Sequence, residues 1–173
     1  MAKRIIFDIF TVLLLFTLQT VLFPHIAFGG IKPNLFLALI ISYGLIRGEI
    51  SGMLFGFFCG LLNDAFYMDV LGVYALIYLF IGYLAGLLHQ FYNPHDVRLP
   101  LFSIFAGDLI YSIVYYVLFF LLNGKLNFGY YFTHIILAEL VYTIVLFIGL
   151  YPLLNLLEQK VISVKLWSKE KDV

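Results

Sequence analysis

Residues 50–66 read ISGMLFGFFCGLLNDAF. Apolar side chains fall on every side of this run, with no two-residue alternation. A half-wetted strand therefore fits it poorly, and a helix in apolar surroundings fits it well. Along it Gly52, Gly56, Gly60 and Asp64 recur at every fourth position. At 3.6 residues per turn each step advances about 40°, so the four make one slowly turning face. Glycines on such a face let a second backbone approach closely, the small-xxx-small mode of membrane packing. Gly82 and Gly86 repeat the spacing in the next apolar run. The favoured reading is that these two helices pack on each other, with a homodimer face as the alternative. Asp64 then points toward protein rather than lipid.

The rest of the chain is built the same way. Of its 173 residues 64% are hydrophobic, 19% aromatic and only 12% charged. A soluble fold of this length has too little polar material to cover so much apolar surface. Breaker clusters divide the chain into helices over about 5–23, 33–46, 50–66, 71–91, 99–122 and 131–157, followed by a short polar tail, 158–173. The breaks fall at Pro24 to Lys32 with Gly29-Gly30, at Arg47-Gly48-Glu49, around Asp69, at Asn93-Pro94-His95-Asp96 and at Asn123 to Asn127. Pro33 suits the first turn of the second helix, and Pro152 is a candidate kink in the sixth. The second helix is short for a full span, which suggests an extension into Arg47 or a thinned bilayer. The basic start, Met1 to Arg4, resembles a signal peptide. The apolar stretch after it is too long for one and lacks a small-residue cleavage site, so it reads as a retained helix.

Basic residues orient this arrangement. With the N-terminus in the cytoplasm, six spans place Lys3, Arg4, Arg47, Arg98, Lys160, Lys165, Lys169 and Lys171 inside, and only Lys32 and Lys125 outside. The expectation is an all-α, six-transmembrane-helix bundle with both termini cytoplasmic.

Ionisable groups at membrane depth need a reason to be there. Asp64, Asp108 and Glu139 are the three, while Asp8 lies beside Lys3 and Arg4 and can be solvated or paired there. An aspartate dyad for intramembrane proteolysis would need Asp64 and Asp108 to share a proton. However, Phe105-Ala106-Gly107-Asp108 lacks the first glycine of a Gly-x-Gly-Asp pattern. A proton or ion path is a second reading. The favoured one is a buried polar set, Asp108 and Glu139 included, that fixes helix packing or binds a partner. No catalytic, metal or cofactor motif is present. The histidines lack ligand spacing, Cys59 has no partner cysteine, and there is no nucleophile elbow or phosphate loop. The tyrosine pairs, such as Tyr115-Tyr116 and Tyr130-Tyr131, read as core or interfacial aromatics, and the tail as solvated.

Helices two to four resemble the MreD family of bacterial rod-shape-determining membrane proteins. The residues that carry this are Pro33-Asn34-Leu35, Arg47-Gly48, Gly52, Gly56, Gly60-Leu61-Leu62-Asn63-Asp64, Leu71-Gly72 and Gly82-Tyr83. The stretch covers about a third of the chain; helices five and six match only in hydropathy. The resemblance implies a non-enzymatic scaffold subunit of the cell-elongation machinery in the cytoplasmic membrane, without cofactors. Its partner would be the single-pass protein MreC, in an assembly with the RodA–PBP2 peptidoglycan synthase and the MreB filament. Cytoplasmic contacts would use Arg47 to Glu49, Asn93 to Arg98 or the tail. In architecture the family is similar to the substrate-binding S components of energy-coupling-factor vitamin transporters, which supplies the alternative function. The missing Ala-x-x-x-Ala pair in the first helix and the short outer loops count against that alternative.

Overall fold

A computed structural model describes residues 2–26, 31–68, 71–94, 96–121 and 128–170. Gly29-Gly30, Asp69, His95, the loop Asn123 to Asn127 and the last three residues, with Lys171, lie outside them. Six helical rods make up the described chain, and it contains no strand. Helix α1 runs Ala2–Thr17 and continues through a π turn, Leu18–Leu22, into Phe23–Ile26. Helices α2 and α3 are Leu35–Arg47 and Glu49–Tyr67. Helix α4, Val73–Leu87, ends in a 3₁₀ turn, Leu88–Phe91. Helix α5, Arg98–Tyr116, ends in a π turn, Val117–Leu121. Helix α6 opens with Phe128–Tyr131 and a π turn, Phe132–Ile136, then runs Leu137–Glu170. It passes through Pro152 and on past Leu157, where the apolar pattern had ended it.

Five of the six are long and apolar enough to cross a bilayer, and α2 is the exception. Its 13 residues rise only about 20 Å, against a hydrocarbon core of roughly 30 Å. Its surroundings explain this. Every residue from Leu35 to Leu45 is buried, and α2 packs against all five other helices. A helix that is apolar all round is a core helix. Because its neighbours shield it from lipid, its length need not match the membrane.

Its ends are finished by side chains. The Asn34 carboxamide oxygen accepts from the Leu37 N–H at 3.1 Å, capping the helix, and the Gln19 side-chain oxygen accepts from the Phe36 N–H at 3.2 Å. At the other end His89 donates from Nδ1 to the Leu45 carbonyl oxygen at 2.6 Å. A single residue, Gly48, links α2 to α3 with φ of +91°, a conformation that side chains disfavour. The chain thus has an Arg47 end and a Lys32 end.

Candidate functional site

Three constructions hold the sequence-singled residues. The first is the seam between α3 and α4. A Cβ added at Gly52 would lie inside van der Waals contact with the Gly82 carbonyl oxygen. One at Gly56 would strike the Tyr78 carbonyl, and one at Gly60 the Ala75 backbone. From the other side, Gly82 meets the Gly52 carbonyl and Gly86 meets the Glu49 backbone. The five glycines therefore lie along one backbone-to-backbone contact inside the chain, with Asp64 at its Lys32 end.

Asp64 is fully buried and has a defined task. Its carboxylate accepts from the N–H groups of Gly72 at 3.0 Å, Tyr74 at 2.9 Å and Ala75 at 3.0 Å. These are orphan donors at the start of α4, and an anion placed there also meets the positive end of the helix dipole. Asp64 caps α4 from the neighbouring helix, which closes the α3–α4 hairpin. Asp64→Ala is expected to cost on the order of 3 kcal/mol, because three buried N–H groups lose a charged acceptor. Asp64→Asn, which keeps one acceptor oxygen, is expected to cost about half as much. Detergent-resistance or SDS-titration unfolding of the purified variants would measure both.

The second construction is at the Arg47 end. Arg47 donates to Asp8 from Nη1 at 2.9 Å and from Nη2 at 2.7 Å. It also donates to Glu158 from Nε at 2.9 Å and from Nη2 at 2.5 Å. Arg4 adds a 2.9 Å bond to Glu158. Two guanidinium groups thus balance two carboxylates across α1, α2 and α6. The Arg47 side chain is 5% exposed and that of Glu158 is 1%. Its guanidinium also lies over the Tyr43 ring, 4.1 Å from the centroid. Arg47 is therefore the centre of an internal network. Glu158 is a buried member of it, where the sequence had placed a solvated tail. Gly48 forms the adjacent turn.

The third construction, at the Lys32 end, gathers polar groups the sequence had treated separately. Tyr78 donates to Asn34 at 2.9 Å and accepts from Asn63 at 3.3 Å, and the Asn34 N–H reaches Thr143 at 3.1 Å. Around them Tyr74, Tyr78, Tyr111 and Tyr115 form one aromatic cluster, with ring centroids 5.6 to 6.1 Å apart. Glu139 of α6 stands at its edge. Asp108 of α5 is fully buried, and among the described residues neither of its oxygens has a hydrogen-bond partner; the same holds for the buried Ser112 hydroxyl one turn on. Asp64 and Asp108 do not form a dyad, because both Asp64 oxygens are committed to the start of α4. Among the described residues no group of three histidine, cysteine or acidic side chains comes together.

Two signals in the sequence pointed to the missed groups. Tyr74 with Tyr78, and Tyr111 with Tyr115, are pairs four apart, so each lies on one helix face. Asp8, Arg47 and Glu158 sit at helix ends that the six-span topology brings to the same side.

In a comparison with protein families, the family model for the rod shape-determining protein MreD matches residues 2–161. No curated protein and no solved structure matches the chain.

Proposed function

The chain belongs to the MreD family of rod shape-determining membrane proteins, and from that premise we propose that it acts as a non-enzymatic scaffold in the bacterial cytoplasmic membrane. In this reading it binds a single-pass MreC-like partner and so supports peptidoglycan synthesis by the elongation complex, RodA–PBP2 and MreB included. The Arg47 end faces the cytoplasm with both termini. Arg4, Arg47 and Arg98 gather at that end and Lys32 sits at the other, in keeping with the positive-inside rule.

The observation that carries the scaffold reading is a groove between α1 and α3. It has a volume of 600 Å³ and is lined by Ile9, Val12 and Leu13 of α1 and Leu54, Phe58 and Leu61 of α3. It is larger than two other apolar grooves, of 480 and 440 Å³. Between membrane helices there is little hydrophobic drive, and association depends on close packing. A concave apolar groove gives a passing helix more contact than lipid tails do. We assign it to the transmembrane helix of the MreC-like partner. Depleting the protein is expected to round rod-shaped cells, and the single-pass partner is expected to copurify with it. Normal rods after complete loss would contradict the reading.

A further inference from the structure

The cavity at the Lys32 end is unlike a packing defect. It has two lobes, of 340 and 640 Å³, which share Lys32, Tyr74, Tyr111, Tyr115 and Glu139 in their walls. That is the size range of small-ligand sites. It is reached past exposed Lys32, Tyr130 and His134. Among the described residues the Ser112 hydroxyl that lines it has no hydrogen-bond partner, and below Ser112 the Asp108 carboxyl is fully buried with neither oxygen bonded. Glu139 forms no ion pair or hydrogen bond among the described residues. Such groups at membrane depth are costly unless something meets them. The three π turns among the described residues, in α1, α5 and α6, all fall toward this end, and π turns recur at functional sites.

We propose that this cavity binds the ammonium end of a zwitterionic phosphoethanolamine group, with Glu139 facing the ammonium and the tyrosine rings around it. The lining decides the ligand class. A bare metal ion seeks an oxygen cage, and this wall is made of aromatic faces, which favour an organic ammonium through cation–π attraction. Lys32 at the rim repels a simple cation but pairs with an anion carried on the same molecule, so a zwitterion satisfies both ends of the site. Phosphoethanolamine chemistry is available free in solution or as the headgroup of a lipid.

The purified full-length chain separates these sources. Isothermal titration with free phosphoethanolamine tests the soluble form. Native mass spectrometry from nanodiscs containing equal phosphatidylethanolamine and phosphatidylglycerol tests the lipid. Binding or selective retention in at least one arm is expected, and which arm responds identifies the source. Glu139→Gln is expected to weaken it by roughly tenfold or more, since a charged hydrogen-bond partner is lost. Ser112→Ala, a smaller change in the same wall, is expected to weaken it less while leaving thermal stability unchanged. Absence of both free binding and headgroup selectivity would overturn the proposal, as would binding by Glu139→Gln equal to that of the parent. Neither outcome depends on whether the MreC-like partner binds.

Discussion

Gly52→Ala is expected to break the bundle open. The added methyl would sit inside contact distance of the Gly82 carbonyl oxygen, and the Gly82 carbonyl carbon would lie only 2.9 Å away. Backbone cannot swing aside as a side-chain tip does, so α3 and α4 must separate along their whole seam. That separation strips Gly56 and Gly60 of their contacts and draws Asp64 from the start of α4. Loss of more than about 3 kcal/mol is the expected scale, at the upper end of single-site effects. Gly149→Ala is the control. Nothing lies within 4 Å of the methyl it would add on α6, and alanine in a helix is favoured by about 1 kcal/mol. Chemical unfolding of the two variants in the same detergent should place them on opposite sides of the parent.

Arg47→Met should destabilise the protein by roughly 3–5 kcal/mol, because it leaves the buried Glu158 and the half-buried Asp8 without their main counter-charge. Arg4 cannot replace it, being 38% exposed and bonded to only one Glu158 oxygen. Arg4→Met should therefore change stability by about 1 kcal/mol or less. The diagnostic is the combination Arg47→Met with Asp8→Asn and Glu158→Gln. If uncompensated charge is the cause, the triple variant recovers much of what Arg47→Met loses; if packing of the arginine stem is the cause, it recovers nothing. Because the network joins α1 and α6 to the central helix, its loss should also loosen the α1 wall of the partner groove.

The parts of this architecture that a sequence can reveal are local ones. The breaks at Gly48, Asn93 and Pro94 were readable because apolar stretches end there, whereas α1 runs on through Pro24 to Ile26, past the stop expected at the proline. The α3 stripe was readable because a step of four keeps Gly52, Gly56 and Gly60 on one face. The central position of α2 was only half readable. Its shortness suggested an extension into Arg47 or membrane thinning; the helix does reach Arg47, but the other five helices surround it, and the uniformly apolar run carried no face to say so. Asp64 was flagged as buried, but its role as a cap for α4 depends on the hairpin bringing residues 72–75 back to it. The Arg47 network joins positions 39 and 111 apart in sequence, and only the assembled bundle brings those charges together. The same is true of the tyrosine cavity, whose walls come from α1, α3, α4, α5 and α6 and from the segment before α2.

The claim that the α1–α3 groove seats a partner helix is tested most directly by site-specific photo-cross-linking in growing cells. A photoreactive residue at Phe58, in the groove, should give one adduct with a single-pass membrane protein of the elongation complex. The same residue at Phe102, which is 65% exposed on α5, should give none. Adducts of equal yield at Phe102, or none at Phe58 while the cells remain rod-shaped, would contradict the account.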